Sequence, residues 1–226
     1  MSIFPYPIKL KDKEQLTPDA FNFTFTKPVD FDFQAGQYTE MSFSPTLTRC
    51  YSLASAPQDP DLHFLIKLIP QGAASEFLRH LTIGETVLIS EAKGNWITST
   101  SSQNLTFVVT GTGIAPARSI IRDQLLFQAS TAPINLLAGF RQETDIIARA
   151  EWEELQQQFP NLRCLFSLSQ PNEQWFGPTG YITDHLDNIG TDSCFFLCGL
   201  PAMATTAIQK IMAQGVSPLK IRTEVY

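Results

Sequence analysis

The stretch Thr110-Gly111-Thr112-Gly113-Ile114-Ala115-Pro116 lies directly between an apolar run, Leu105–Val109, and a helical pattern that begins at Ile114. Glycines at such a turn let the backbone approach a ligand, and the first turn of a helix presents unpaired N–H groups with a partial positive charge. Pro116 suits an early helical position. The stretch therefore predicts a strand, a phosphate-binding turn and a helix, although it lacks the full Gly-x-Gly-x-x-Gly spacing. A plain strand-to-helix turn is the alternative.

The chain beyond this stretch keeps alternating between strand and helix patterns. Apolar runs such as Ile134–Gly139 and Ser193–Cys198 suit buried strands, and Trp152 belongs to a helical pattern between them. This β-α-β repetition is typical of a parallel sheet that is covered on both faces. The polar run Ser99–Asn104 is the best candidate for a boundary, so we predict a parallel α/β nucleotide-binding domain over residues 101–226.

The preceding part of the chain, residues 1–100, has the pattern of β structure. Aromatic residues alternate with polar ones over Phe21–Phe25, which indicates a half-buried strand, and Leu62–Ile69 is a further strand. Ser75–His80 is predicted to be one short helix, with Phe77 among the residues that face inward. Short strands separated by proline-containing turns predict an antiparallel barrel or sandwich.

Within this β region, Arg49-Cys50-Tyr51-Ser52 places a fixed cation, an aromatic ring and a hydroxyl in four consecutive positions. In a strand, Arg49 and Tyr51 point to one face and Ser52 to the other. An arginine fork binds phosphate, a tyrosine ring stacks, and a serine can hydrogen-bond near a ring nitrogen. The segment thus suits a flat, anionic, heteroaromatic ligand. The alternative is an amphipathic strand with a surface arginine and a core tyrosine.

Taken together, the motifs resemble the ferredoxin–NADP reductase-like family of flavoprotein reductases along nearly the whole chain. In chain order they are Ala35-Gly36-Gln37-Tyr38, Arg49-Cys50-Tyr51-Ser52, Gly72-Ala73-Ala74-Ser75, Thr110–Pro116, Leu197-Cys198-Gly199-Leu200-Pro201-Ala202-Met203 and Glu224-Val225-Tyr226. The sequence departs from the family at Ala92-Lys93-Gly94-Asn95, where many members have Gly-Pro-x-Gly. The resemblance implies an FAD-binding β-barrel followed by an NAD(P)-binding α/β domain.

The resemblance also implies roles for residues on the flavin side. Arg49 would pair with the pyrophosphate of FAD, and Cys50 would lie beside it in the same motif. Tyr51 would pack against one face of the isoalloxazine, while Ser52 would hydrogen-bond near its N5 atom and act in catalysis. The start of the short helix, at Gly72, Ala74 and Ser75, would meet the pyrophosphate. Two separate devices for a pyrophosphate favour FAD over FMN.

The resemblance also implies roles for residues on the nicotinamide side. The residues expected to bind NAD(P)H are Thr110, Gly111, Thr112, Gly113, Pro116, Arg141, Ser169, Cys198, Gly199 and Met203. Cys198 would act beside the nicotinamide, and Glu224 would relay a proton to Ser52. Tyr226 would cover the flavin face opposite Tyr51 and leave when nicotinamide enters. The alternatives are a buried strand-end thiol for Cys198 and an ordinary edge-strand residue for Tyr226.

The choice between the two nicotinamide cofactors depends on cations that bind the 2′-phosphate. NADP-dependent members commonly have Ser-Arg where this chain has Ser169-Gln170, and a second cation after the next glycine is replaced by Tyr181. Arg141 alone fits a position near the adenosine. One cation binds a dianionic phosphate weakly, which favours NADH slightly.

Composition excludes several other classes of protein. The chain has 226 residues and a net charge of −6 without a cluster of cations, which argues against nucleic acid as a partner. No segment has the length of a membrane span, and the four cysteines, without Cys-x-x-Cys or a histidine cluster, predict no metal site. We expect reduced, mostly buried thiols in a cytoplasmic monomer.

The function that follows from these expectations is the transfer of electrons from NAD(P)H through FAD to a separate protein acceptor. Ferredoxin, flavodoxin or an oxygenase component would each suit as the acceptor. Two alternatives stay open: a non-catalytic electron-transfer or regulatory module of the same fold, and a reductase of free flavin. The colour of the purified protein and the retention of flavin on gel filtration would separate them.

Overall fold

The structure, a computed structural model, describes residues 4–98, 103–187 and 189–225. Its strands and helices are, in chain order, β1 (Tyr6–Gln15), β2 (Ala20–Thr26), β3 (Tyr38–Ser44), β4 (Leu47–Ser52), β5 (Asp61–Lys67), α1 (Ala73–His80), β6 (Thr86–Ile89), β7 (Leu105–Thr110), α2 (Ile114–Arg122), β8 (Ile134–Phe140), α3 (Arg149–Gln158), β9 (Leu162–Leu168), β10 (Cys194–Gly199), α4 (Pro201–Ala213) and β11 (Ile221–Val225).

The first six strands form an antiparallel sheet in the order β4-β3-β6-β1-β2-β5. The rings of Phe25 and Phe64, which are fully buried, meet edge to face with centroids 5.9 Å apart, within the range of about 4.5–7 Å that is typical of aromatic pairs. The sheet curls until its two outer strands approach each other, because the N–H of Ala54, just after β4, donates to the carbonyl of His63 in β5 at 2.8 Å. The predicted antiparallel barrel architecture is confirmed.

The remaining strands form a parallel sheet in the order β11-β10-β7-β8-β9. Every residue of β10 is buried, and all residues of β7 except Thr110 are buried, as expected for strands covered on both faces. The strand order reverses between β7 and β10, and ligands of open α/β sheets bind at such a switch point. The predicted α/β fold is confirmed. The boundary predicted between residues 100 and 101 lies outside the described residues and stays a prediction.

Three details differ from the expectations. β1 has no counterpart among the predicted strands, because only Ile8 and Leu10 are buried along its polar length. The short helix begins at Ala73, and its Phe77 is exposed rather than inward, resting on the ring of Phe43 at 5.1 Å. The thiol of Cys50 is exposed, so burial of the cysteines is less general than predicted.

The two domains meet through the segment that joins them. The ring of Trp96 packs edge to face on Phe196 of β10, with centroids 5.0 Å apart. The guanidinium of Arg222 in β11 donates to the carbonyls of Asn95 and Ile97, at 3.2 Å and 2.5 Å. These contacts fix the start of the last strand against the segment that joins the domains.

Candidate functional site

The motif Arg49-Cys50-Tyr51-Ser52 lies at the end of β4. Ser52, the last residue of the strand, lies opposite Tyr38 of β3, and Arg49 lies opposite Met41. Arg49 is exposed, and its guanidinium donates to the carbonyl of Thr48 at 2.7 Å. Among the described residues it has no carboxylate partner. Its remaining donors therefore face solvent, where they can bind an anion.

Tyr51 belongs to an aromatic group that reaches from β4 to α1. Its ring meets that of Phe43 edge to face at 6.2 Å, and Phe43 in turn contacts Phe77 of α1. Burial raises the pKa of Tyr51 to about 12, so the phenol stays neutral at physiological pH. A half-buried neutral ring held by other rings can present a stable face to a flat ligand.

The start of α1 lies beside β4, as the resemblance requires. Gly72 precedes the helix, and a side chain there would press against Ile69 and the hydroxyl of Ser75. Ser75 and Ala74 are buried, and the Ser75 hydroxyl accepts a hydrogen bond from the N–H of Ile69 at 3.1 Å. The hydroxyl thus helps to shape the turn, and the first N–H groups of α1 are the donors that an anion could reach.

The switch point of the parallel sheet is built from the ends of β7 and β10. Gly199 has φ +140°, and a Cβ atom there would overlap Thr110 Oγ1. The same oxygen accepts a hydrogen bond from the N–H of Leu200 at 3.3 Å. Gly111 has φ +53° and open space where a side chain would stand. Both positive φ values favour glycine: at Gly111 its absent side chain leaves the switch point open, and at Gly199 it allows the close approach of Thr110.

The other residues of the nucleotide motif lie deeper. A 3₁₀ turn, Gly111–Gly113, leads into α2, so the predicted strand-turn-helix unit is present with one extra tight turn. Thr112 is half-buried at the opening, whereas Gly113 and Pro116 are buried. Met203 of α4 is buried as well. These buried residues support the shape of the turn rather than presenting side chains to its surface.

One carboxylate links the two halves of the site. Glu224 of β11 lies opposite Cys198 of β10 in the parallel register. Burial raises the pKa of the Cys198 thiol well above its usual range, and the Glu224 carboxylate adds to the shift. Burial, Glu40 and Glu224 together raise the pKa of Cys50 in β4, against the effect of Lys93. Glu224 therefore lies within electrostatic reach of both domains.

The Glu224 side chain is itself in an unusual state. Burial raises the pKa of its carboxyl group, and the oxygen Oε2 is buried without a hydrogen-bond partner among the described residues. A buried carboxylate oxygen without a donor is costly, so the group binds a proton more readily than an exposed glutamate. A raised carboxyl pKa favours a role in proton transfer.

The adenosine side of the expected site lies at the ends of β8 and β9. The N–H of Gln170 donates to the carbonyl of Arg141 at 2.8 Å, and the N–H of Ser169 donates to that of Phe140 at 3.0 Å. Arg141 and Gln170 are exposed, and so is the ring of Tyr181. The two turns are thus joined side by side, with a single cation between them.

In the parallel sheet, the C-terminal ends of β7, β10 and β11 are neighbours, and Arg141 and Ser169 follow β8 and β9 further along the same edge. The flavin motif lies at the end of β4 in the first sheet. Tyr226 lies outside the described residues. Sequence reasoning missed Arg118 and Ser119 of α2, which bind the backbone directly after Ser52. A signal was available: Arg118 and Arg122 stand four residues apart on an otherwise apolar helix, where cations need partners.

Two classes of site are absent from the part of the chain that the structure describes. Its histidines, cysteines and acidic residues form no group of three or more that could hold a metal ion. None of its helices combines the length and the apolar character that a membrane span requires.

Comparison with known families assigns both domains. A family described as an oxidoreductase FAD-binding domain matches residues 7–97, and one described as an oxidoreductase NAD-binding domain matches residues 107–209. The first match contains β2 to β6 and all of β1 except Tyr6, and the second contains the Thr110–Pro116 turn and Cys198.

Relatives of this chain include reductases and components of oxygenase systems. Ferredoxin–NADP reductase B of Sorangium cellulosum is 30% identical over 98% of this chain and 98% of its own length. The phenol hydroxylase P5 protein of Acinetobacter pittii is 30% identical over 96% of this chain. The chain spans 63% of that protein's length, and 62% and 59% of two dioxygenase components.

A solved structure shares the whole architecture. The ferredoxin NADP⁺ reductase from Neisseria gonorrhoeae, determined with bound FAD and NADP, superposes with a TM-score of 0.88 at 22% identity. The match covers 100% of this chain and 99% of that one, so both domains share its fold.

Proposed function

Because this chain belongs to the ferredoxin–NADP reductase-like family of flavoprotein reductases, we propose that it takes a hydride from NAD(P)H onto FAD and passes electrons to a protein acceptor. The matched domains agree with the cofactor pair expected from the sequence, FAD and a nicotinamide nucleotide. When bound, FAD supplies the conversion of a two-electron hydride into single electrons. The protein supplies binding, orientation and control of a proton.

One observation carries the proposal: helix α2, which begins at the nucleotide turn, binds the segment directly after Ser52, because Arg118 Nη1 donates to the carbonyl of Ala54 at 2.7 Å and Ser119 Oγ donates to that of Ser55 at 2.6 Å. The two motifs expected to hold the two reacting rings therefore converge. Hydride transfer needs this convergence, because donor and acceptor atoms must approach to about 3–3.5 Å.

The described residues fit FAD on the first domain. Arg49 offers exposed guanidinium donors for the pyrophosphate, and the N–H groups at the start of α1 offer a second set. Tyr51 presents a neutral ring from an aromatic group, and Ser52 stands at the strand end that faces the second domain. We assign to Ser52 the hydrogen bond to the flavin edge that receives the hydride.

The residues of the second domain fit a nicotinamide nucleotide. Gly111 leaves open space at the switch point, Gly199 lets the chain pass close to Thr110, and the 3₁₀ turn that begins at Gly111 and leads into α2 offers its first N–H groups there. Cys198 contributes a neutral thiol beside the reacting position, since burial keeps it protonated. Burial raises the pKa of the Glu224 carboxyl group, and we assign to Glu224 the relay of a proton towards Ser52. Tyr226 keeps its proposed role as the cover of the opposite flavin face.

Which nicotinamide cofactor is used follows from the charges near the adenosine end. Arg141 is the cation on the turn after β8, while Gln170 and Tyr181 occupy the places where a further cation would strengthen phosphate binding. We propose a modest preference for NADH on this basis.

The acceptor is proposed to be a protein, because relatives of the chain are reductase and electron-transfer components by name. Ferredoxin, flavodoxin or an oxygenase component are the candidates. We also propose a monomer that works in the cytoplasm, where its four cysteines, all free in the structure, remain thiols.

The proposal is tested on the purified protein. It is expected to be yellow, to release FAD on heating and to lose its colour when NADH is added without oxygen. Candidate acceptors are then added singly, with NADH and NADPH compared. A protein that binds FAD without being reduced would be a non-catalytic module, and one that loses its flavin on gel filtration yet reduces added flavin would be a free-flavin reductase. Either result would contradict the proposal.

A further inference from the structure

The segment Leu53–Ala56 follows Ser52 directly and is completely buried between the two domains. Its own N–H groups bind within the first domain: that of Leu53 donates to Gln37 at 2.9 Å, and that of Ala54 to His63 at 2.8 Å. The carbonyl groups of Ala54 and Ser55 instead bind the second domain. The strand end that carries Ser52 is therefore held from both sides.

The bonds from the second domain come from two neighbouring residues of α2. Arg118 Nη1 donates to the carbonyl of Ala54 at 2.7 Å, and Ser119 Oγ donates to that of Ser55 at 2.6 Å. Ser119 Oγ also accepts from the N–H of Gly36 at 3.3 Å. Gly36 precedes β3, and the first residue of β3 faces Ser52. One hydroxyl thus bridges the two backbone segments that extend the β3–β4 pair.

The same helix begins at the nucleotide turn. Gly113 caps α2, and Ser119 lies six residues further, which is about 9 Å along a helix axis at 1.5 Å per residue. A short, buried helix behaves as a rigid unit. It therefore connects the turn expected to hold the nicotinamide nucleotide with the strand end expected to hold the flavin.

Arg118 is fixed by a network of charges. It is only 8% exposed, and its Nε donates to both carboxylate oxygens of Glu151 in α3, at 3.0 Å and 2.8 Å. Arg122, one turn further, joins Glu151 to Asp59 of the first domain. A buried arginine keeps one orientation only when its fork is paired, so Glu151 directs Arg118 towards Ala54.

We propose that Ser119 and Arg118 are positioning residues that set the separation between the flavin and the nicotinamide, with Glu151 acting through Arg118. The inference rests on the proposed function, since it concerns the geometry of that hydride transfer. Neither residue needs to touch a cofactor. Their bonds place Ser52 relative to the turn at Thr110–Pro116, and small displacements of reacting atoms have large effects on rate.

The test compares wild type with Ser119→Ala and Glu151→Gln, all loaded with FAD. Anaerobic rapid mixing with NADH gives the hydride-transfer rate per bound FAD at saturating cofactor. We expect a fall of about tenfold for Ser119→Ala, and a smaller fall for Glu151→Gln. The affinity for NAD⁺ is expected to stay unchanged, because the nucleotide turn is not altered. Glu153→Gln is the matched control, since Glu153 lies on the same helix and pairs with the exposed Arg149.

A second readout does not depend on activity. Hydrogen exchange of the Leu53–Ala56 amides, measured with and without FAD, should be about fivefold faster in Ser119→Ala, the factor expected for one lost hydrogen bond. Faster exchange with an unchanged transfer rate per FAD would make Ser119 purely structural and overturn the proposal. Unchanged hydride-transfer rates per bound FAD in both Ser119→Ala and Glu151→Gln would also overturn the proposal. If Ser119→Ala does not fold, the hydride-transfer rates of Glu151→Gln and Glu153→Gln are compared instead, and equal rates would overturn the proposal. A wild type that NAD(P)H does not reduce would instead refute the proposed function.

Discussion

Cys198 and Glu224 lie directly opposite each other on the neighbouring parallel strands β10 and β11, and the carboxylate also raises the pKa of Cys50 in the other domain. The buried Oε2 atom of Glu224, which has no donor among the described residues, the raised pKa of its carboxyl group and the buried thiol of Cys198 all describe one poorly solvated place. Such places destabilise the fold and are typical of functional sites.

Replacing Glu224 by glutamine should stabilise the protein at neutral pH. Because burial raises the folded pKa of Glu224, the folded state binds the proton more tightly than the unfolded state does. Stability from this group is therefore present at acidic pH and is lost as pH rises through the folded pKa. We expect the thermal midpoint of Glu224→Gln to exceed that of wild type by about 2–4 °C at pH 8, and the difference to shrink towards pH 4. Exposed Glu173, changed to glutamine, is the control.

Asp59 should show the opposite dependence on pH. Burial alone would raise its pKa, but hydrogen bonds from Arg122 and from the N–H of Ala56 outweigh burial and hold the pKa below its usual range. Stability from Asp59 is therefore present above the unfolded pKa and is lost as pH falls through the folded pKa. Asp59→Asn should cost about 2 kcal/mol at pH 7 and little at strongly acidic pH, as measured by denaturant unfolding. Asp30→Asn on the exposed surface should change neither value.

Arg49→Ala should lower the affinity for FAD by about tenfold or more, because an arginine–phosphate pair is a charge-assisted hydrogen bond that water replaces poorly. Titration of the apoprotein with FAD, followed by the change in flavin fluorescence, gives both affinities. Arg79→Ala is the control, since Arg79 lies at the opposite end of α1 and pairs with Glu76. An FAD affinity equal to that of wild type would remove Arg49 from the flavin site, and FMN as the bound cofactor would refute the pyrophosphate argument.

Ser52→Ala should slow flavin reduction while leaving FAD bound. The hydroxyl is small, and the proposed bond forms to charge that develops in the transition state, so its loss appears in rate rather than in affinity. A hydrogen bond to a charged group contributes about 1.5–3 kcal/mol, which corresponds to roughly 10–100-fold in the anaerobic rate. Thr48→Ala, on the exposed part of the same strand, is the comparison. Equal rates for the two variants and wild type would show that Ser52 has no catalytic role.

The fold could be predicted because each domain repeats one pattern of apolar residues along its strands. Alternation at Phe21–Phe25 gave the half-buried strand, and the apolar run at Leu105–Val109 gave the strand buried on both faces. β1 was missed because its outward residues are charged and only two of its positions are buried. Phe77 was misplaced because its partner, Phe43, lies on a strand more than thirty positions earlier, which no local pattern reveals.

The residues of the site also differ in how far the sequence predicts them. Motifs that act through their own backbone, such as Gly111 and Gly199, could be found from the residues alone, because few residues other than glycine adopt those conformations. The contacts that join the domains could not be found from the sequence alone. Ser119 and Ser55 are 64 positions apart, and their pairing depends on how the two domains pack. Long-range polar contacts between domains leave no periodic signal.

Gln170→Arg should shift cofactor preference towards NADPH. The N–H of Gln170 binds the carbonyl of Arg141, so an arginine at position 170 would add a second cation beside the first. Two guanidinium groups can hold the 2′-phosphate with charge-assisted bonds, and we expect kcat/KM for NADPH to rise about tenfold, equal to about 1.4 kcal/mol. The value for NADH should stay within about twofold, since NADH has no 2′-phosphate for the new cation to bind. Gln170→Leu keeps the side chain long without charge and should raise neither value. A rise for both cofactors would show that position 170 acts on the shared part of the nucleotide, and would place the 2′-phosphate elsewhere.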